Sequence, residues 1–304
     1  MSLDQYHRLF DQLVEAGTFF VILTGGEPFV RPDFMEIVEA ARKRRLSVTI
    51  FTNGTLITGQ QIARLRELFI QEVHVSIYSA KPAIHDSITQ TRGSFEKSFR
   101  TIQRLLAAGI KVRIKCPLMN MAVSGIDEIK TLAKELGADV QFTTTITAQN
   151  DGSDATCAFR LTPSQLRKVL IDPDVATQAM EPVHFQENLD CIPCDTVFTG
   201  GAIDPSGNVF VCNQLRMIGG NILSAPFGQI WKESSVFNWL RQIKLNNLKE
   251  CATCNLFQYC TRCPGLAHLE DGDILGCSSA AKVAAEIRKE AGTYPTETHI
   301  FSRL

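Results

Sequence analysis

An α/β chain, built on a parallel sheet and closed by a small cysteine-rich domain, is what this sequence predicts. Three observations predict it. Apolar strand-like runs and amphipathic helical stretches alternate five times over between Phe19 and Thr145, the pattern of parallel strands joined by helical crossovers. The alternation breaks at Ala148-Gln-Asn-Asp-Gly-Ser-Asp154, a polar, turn-rich stretch. Eight of the ten cysteines lie beyond residue 190, most of them in closely spaced pairs.

The elements follow in order. Ser2 with Gln5 three residues on is a capping-box pattern. Tyr6, Leu9, Phe10, Leu13 and Val14 then recur at helical spacing up to Gly17. Phe19-Phe-Val-Ile-Leu-Thr24 is a short continuous apolar run, suited to a buried parallel strand. Helix 33–44 precedes strand 47–52, helix 58–69 precedes strand 72–77, helix 94–108 precedes strand 111–117, and helix 126–136 precedes strand 139–145. A short helix over 161–171 comes next, and 173–190 reads as an irregular linker. Strands 197–203 and 208–212 flank Asp204-Pro-Ser-Gly207, a hairpin signal. One amphipathic helix is expected over 227–243 and a closing helix over 278–291. The chain opens on a helix, where a parallel α/β unit places a strand first, so it reads as starting one strand late.

At 304 residues the chain suits one large domain and a smaller one. It is 44% hydrophobic and 21% charged with net charge −1, so no basic excess points to nucleic acid, and Lys43-Arg44-Arg45 reads as a solvated helix end. No apolar run approaches a membrane span. Many thiols behind an N-terminus without a secretory signal point to a reducing cytoplasm.

The densest chemistry is Cys251-x2-Cys254-x5-Cys260-x2-Cys263, four cysteines in thirteen residues. Upstream stand Cys191-x2-Cys194 and Gly207-x4-Cys212; thirteen residues separate Cys263 from Cys277. Eight thiolates suffice for two four-thiolate sites. Disulfides would need an oxidising compartment. Spacing alone leaves zinc and iron–sulfur clusters equally open.

The N-terminal loops carry a second signal. In parallel α/β folds ligands bind at the carboxyl ends of the strands. Thr24-Gly25-Gly26-Glu27-Pro28 follows the first strand and Asn53-Gly54 the second, while Ser76 and Cys116 sit within the third and fourth. Singly each is a turn, a strand serine or a buried thiol. Together, Gly25-Gly26-Glu27-Pro28, Thr52-Asn53-Gly54, Val75-Ser76-Ile77, His85-Asp86-Ser87-Ile88-Thr89 and Gly93-Ser94-Phe95 resemble the radical S-adenosylmethionine enzymes. The eight-cysteine set is similar to the SPASM extension of that superfamily, which carries two auxiliary [4Fe–4S] clusters.

The resemblance implies a partial (β/α) barrel over 1–147 lacking its first strand, a connecting helix and linker over 148–190, an α+β SPASM domain over 191–291 and a tail over 292–304. It implies that Glu27 and the Gly25–Gly26 backbone, with Pro28 closing that loop, bind the amino group of S-adenosylmethionine, that Ser76 meets its ribose and that Asn53 lies near the same ligand. It assigns Cys191, Cys194, Cys212 and Cys263 to one auxiliary cluster, and Cys251, Cys254, Cys260 and Cys277 to the other. Three features depart from the family. Cys260-x2-Cys263 stands where many relatives have C-x3-C, and Thr89 stands where many carry an arginine, with Arg92 nearby. No cysteine precedes Cys116, so the C-x3-C-x2-C loop of the catalytic [4Fe–4S] cluster is not supported by this chain. The chain as given is therefore expected not to cleave S-adenosylmethionine reductively.

The expected activity is that of a radical enzyme, or a shortened copy of one, that modifies a ribosomally made peptide or protein by hydrogen-atom abstraction. A leader-recognition partner and an electron donor are its expected companions. Cys263-Pro-Gly-Leu-Ala267 and Asp271-Gly-Asp-Ile-Leu-Gly276 resemble maturases akin to the pyrroloquinoline quinone peptide cyclase. An anaerobic sulfatase maturase ranks below, because Asn213 follows Cys212 where those enzymes carry an aspartate. A binding protein that keeps clusters or zinc without catalysis is the alternative from another class.

Overall fold

The computed structural model describes residues 1–149, 152–172, 174, 175, 190 and 192–292. It divides into two units, Met1–Thr145 and Ile146–Leu304.

The first unit is a parallel sheet with its crossovers. Helix α1 (Leu3–Glu15) starts at the expected box: the Ser2 hydroxyl accepts from the Gln5 N–H at 3.3 Å, and the Gln5 side chain accepts from the Ser2 N–H at 2.7 Å. Leu9, Phe10 and Leu13 are buried, whereas Val14 is exposed. Strands β1 (Phe20–Leu23), β2 (Ser47–Thr52), β3 (Glu72–Ser76), β4 (Val112–Pro117) and β5 (Asp139–Thr143) lie side by side in chain order, every pair parallel. Between them run α2 (Phe34–Lys43), α3 (Gly59–Glu67), α4 (Pro82–Thr89), α5 (Ser94–Ala107) and α6 (Ile126–Leu136). Helix α4 is an addition to the expected order. Pro82 opens it in its first turn and Gln90 ends it with φ +55°.

The strand period of two separates the sheet into unlike faces. Val48, Ile50, Val73, Val75 and Ile114 have no solvent exposure, and each contributes about 1.5–3 kcal/mol by leaving water. Strand β1 departs from the expected buried strand: all four of its residues are half-exposed and Phe19 before it is 78% exposed. It is an edge strand, paired with β2 alone among the described residues.

In the second unit a 3-10 turn over Ala155–Phe159 precedes α7 (Pro163–Leu170), which is capped by a Thr162–Gln165 box. The expected 173–190 linker lies almost wholly outside the described residues. Where a strand was expected over 197–203, the chain forms a helical turn, α8 (Thr196–Thr199), before β6 (Ala202–Ile203). A tertiary contact overrides strand propensity here: the Arg241 Nε donates to the Val197 carbonyl at 3.0 Å. Strands β6, β7 (Asn208–Phe210) and β8 (Gly220–Asn221) form a small antiparallel sheet. Its hairpin turn is closed by Asp204, whose side chain accepts from the Ser206 and Asn208 amides at 2.9 and 3.0 Å. The single helix expected over 227–243 is two, α9 (Phe227–Glu233) and α10 (Ser235–Gln242). Ser234 leaves helical geometry with ψ 122° and caps α10, its hydroxyl accepting from the Phe237 amide. Helix α11 (Pro264–Asp271) was not expected; α12 (Ser279–Ala291) was, and Ser278 caps it. Among the described residues no helix is long and apolar enough to cross a membrane.

Candidate functional site

The loop after β1 is fastened to the end of β2 by one carboxylate. Glu27 Oε1 accepts from the Phe29 N–H at 3.1 Å and from the Thr52 hydroxyl at 2.8 Å; Oε2 accepts from the Asn53 N–H at 2.7 Å. Pro28 and Phe29, in the single 3-10 turn that follows, are buried. Glu27 thus has a positioning duty that sequence reasoning missed. Gly25 and Gly26 behave differently: both are exposed, and a Cβ on either meets nothing within 4 Å. The fold does not require glycine at these positions, which suits backbone kept bare for a ligand.

Asn53 is drawn into the same corner. Its side chain accepts from the Thr55 N–H and hydroxyl at 2.8 and 2.7 Å, and its carbonyl accepts from the Ser98 hydroxyl at 2.6 Å. Gly54 has φ +76°, and an added Cβ would stand 3.0 Å from Val75 Cγ1, so the fold itself demands this glycine. Ser76 ends the neighbouring strand, where register pairs Thr52 with Val75. Gly25–Pro28, Asn53 and Ser76 therefore lie at the carboxyl ends of three adjacent parallel strands.

The His85–Phe95 segment is structural where it is described. Asp86 accepts from the Gly93 and Phe95 amides at 2.5 and 2.9 Å and from the Ser94 hydroxyl at 3.0 Å, and those amides hold its pKa below the usual value. His85 is buried, its Nδ1 accepts from the Tyr78 N–H at 3.2 Å, and burial lowers its pKa. Thr89 pairs with the Ser94 hydroxyl at 2.7 Å.

A polar row on the sheet was also missed. Register sets Phe51 beside His74, His74 beside Arg113, Ser76 beside Lys115, and Lys115 beside Gln141. His74 is buried and stacked on Phe51 with centroids 4.5 Å apart. Its Nε2 meets Glu72 Oε2 at 2.5 Å, and burial lowers its pKa. Lys115 lies over the Phe51 ring and donates to Gln141, with its pKa also lowered by burial. Polar residues at alternate positions of strands otherwise read as apolar were the available signal.

In the second unit the thiols group by mutual influence. Burial pushes up the pKa of Cys212, and the nearby Cys263 and Cys194 push it further; Cys263 is raised by burial and by Cys194. Cys260, only three residues before Cys263, keeps other company. Burial and then Cys251, Cys277 and Cys254 take it to about 11. Cys251 is raised by burial and by Cys277, Cys254 and Glu250, and Cys277 by burial and by Glu250, Cys254 and Asp271. Cys191 lies outside the described residues. The nine described cysteines are free thiols.

The radical SAM superfamily model matches residues 1–140, and the model of the SPASM iron–sulfur cluster-binding domain matches residues 194–255. The AdoMet-dependent heme synthase of Methanosarcina barkeri is 30% identical over 311 residues, spanning 90% of this chain and 85% of that protein. The chain belongs to the radical SAM superfamily, with an SPASM domain. The mycofactocin maturase MftC of Mycobacterium tuberculosis is 29% identical over 277 residues, covering 86% of this chain and 69% of that one. This radical SAM fold superposes on Streptococcus suis SuiB bound to S-adenosylmethionine with TM-score 0.68, at 16% identity, over 93% of this chain and 70% of SuiB. With its precursor peptide SuiA bound, SuiB gives 0.67 at 15% identity, over 93% of this chain and 69% of SuiB.

The residues present fit the clusters this family carries. The Leu215 amide donates to Cys212 Sγ at 3.3 Å. An amide donating to sulfur favours thiolate, the form that binds metal. A Cβ on Gly265 would stand 2.8 Å from the Gln214 backbone, so this glycine lets the Cys212 loop meet the start of α11. Among the described residues no three Cys, His, Asp or Glu side chains converge on the position of a single metal ion. A four-iron cluster takes each thiolate on a separate iron and does not need that convergence.

Proposed function

We propose that this chain is the S-adenosylmethionine- and auxiliary-cluster-binding body of a radical enzyme that modifies a ribosomally made peptide or protein, working in a reducing cytoplasm. The observation that carries this reading is the interleaving of the thiols: Cys263 keeps company with Cys194 and Cys212, while Cys260 joins Cys251, Cys254 and Cys277. Adding Cys191 completes two sets of four, each suited to one [4Fe–4S] cluster. The cofactors supply the radical chemistry, in which a 5′-deoxyadenosyl radical takes a hydrogen atom from the substrate. The protein's own residues position and shield it. Gly25 and Gly26 offer bare backbone to the ligand's amino group. Glu27 holds that loop on β2 and offers its carboxylate to the same ammonium, Asn53 adjoins it, and Ser76 faces the ribose.

A peptide substrate is supported by the relatives named above as a mycofactocin maturase and as SuiB with its precursor peptide. The heme synthase relative, with 30% identity, favours a tetrapyrrole as the second reading. Fluorescence anisotropy on the reconstituted chain separates the two. A library of synthetic leader-bearing precursor peptides is the first probe, and an iron-free porphyrin is the second. Saturable peptide binding without porphyrin binding is expected. Porphyrin binding without peptide binding would replace the peptide reading with the tetrapyrrole one.

A further inference from the structure

Arg262 stands inside Cys260-Thr261-Arg262-Cys263, between two cysteines that keep different company. Two of its three guanidinium nitrogens are occupied by the loop before Cys277: Nε donates to the Gly276 carbonyl at 2.9 Å, and Nη2 donates to the Ile274 carbonyl. The third nitrogen, Nη1, is buried and has no hydrogen-bond partner among the described residues. Leaving a buried donor unsatisfied costs about 1–3 kcal/mol, and more when it is charged, so this orientation needs an acceptor to justify it. The guanidinium also favours the thiolate of both Cys251 and Cys263, one from each set. Arg288 differs: it donates to the Tyr259 carbonyl at 3.1 Å and interacts with Cys260 alone among the cysteines.

We propose that Arg262 is a positioning residue shared by the two auxiliary clusters, clamped on the Cys277 loop so that Nη1 donates to cluster sulfur and its charge favours the reduced state of both. The inference rests on the two-cluster reading. Reduction adds one electron to a cluster without making or breaking a bond, so its anionic charge grows by one. A fixed guanidinium in a low-dielectric setting stabilises that extra charge more than the oxidised state.

The test uses the reconstituted chain. Iron and sulfide are counted first, and dithionite titrations followed by electron paramagnetic resonance then compare wild type with Arg262→Gln and Arg262→Lys. In the glutamine variant the oxidised-to-reduced ratio of both clusters at the wild-type midpoints should rise roughly tenfold, which is about 59 mV for a one-electron couple. Lysine keeps the charge and should shift both less. Loss of the Cys277 clamp could release iron from the glutamine variant, so a second measurement uses wild type labelled with guanidino-¹⁵N arginine. Pulsed resonance on the reduced protein should show a ¹⁵N coupling that disappears in Arg262→Lys. Iron-replete Arg262→Gln with unmoved potentials, a shift confined to one cluster, or a ¹⁵N spectrum unchanged in Arg262→Lys would each overturn the inference. Zinc without sulfide in wild type would instead sink the cluster reading beneath it.

Discussion

The Thr52 hydroxyl reaches both oxygens of the Glu27 carboxylate, at 2.8 and 2.9 Å, and accepts the Gly54 N–H at 2.9 Å. One buried side chain thus joins the Gly-Gly-Glu-Pro loop to the Asn53–Gly54 turn. Thr52→Val keeps the shape and removes both functions. It should cost about 1–3 kcal/mol, the range for buried partners left unsatisfied, and weaken S-adenosylmethionine binding. Thr52→Ser should restore most of both. Chemical denaturation and calorimetric titration read the two effects, and a valine variant as stable as wild type would contradict the clasp.

The glycines of the two loops should separate binding from folding. Gly25→Ala and Gly26→Ala place a methyl where the protein has no neighbour within 4 Å, so their melting temperatures should stay near wild type while ligand affinity falls. Gly54→Ala meets Val75 Cγ1 at 3.0 Å with φ +76° and should lower stability by about 1–3 kcal/mol. The opposite pattern, with a tolerant Gly54 and a destabilising Gly25, would refute the assignment of bare backbone to the ligand.

Buried His85 should make the first unit sensitive to mild acid. Burial holds its pKa below the ordinary 6.5, so the folded state resists a proton that the unfolded chain accepts. The stability from the neutral ring is therefore complete above the ordinary value and is lost as pH falls toward the folded one. Protonation would also occupy Nδ1, the atom that accepts the Tyr78 N–H. His74, lowered chiefly by burial, acts in the same direction. Wild type should melt lower at about pH 5.5 than at about pH 7. His85→Gln should melt lower at neutral pH and lose part of that slope. Parallel curves for the two proteins would exclude His85 as a source.

Much of the parallel unit was legible because period carries it. The Ser2–Gln5 box, the 47–52 strand and the 126–136 helix stand where the pattern puts them. The second unit was less legible, because short elements owe their form to distant contacts. Arg241 holds Val197 in a helical turn, and Ser234 breaks a continuous amphipathic pattern by capping the next helix. At the loops, sequence named Glu27, Asn53 and Ser76 but could not reveal that Thr52 fastens Glu27. The His74–Lys115 row went unread because each polar residue sits singly within an apolar run and gains meaning only from strand register.

The central claim is that the eight cysteines beyond residue 190 hold two four-iron clusters in interleaved sets. The most direct measurement is iron and acid-labile sulfide per chain after anaerobic reconstitution, for wild type, Cys212→Ala and Cys254→Ala. Wild type should hold about eight of each and either variant about four, since each substitution removes a ligand from a different cluster. One or two zinc ions with little sulfide, or both variants behaving as if they struck one common site, would contradict it.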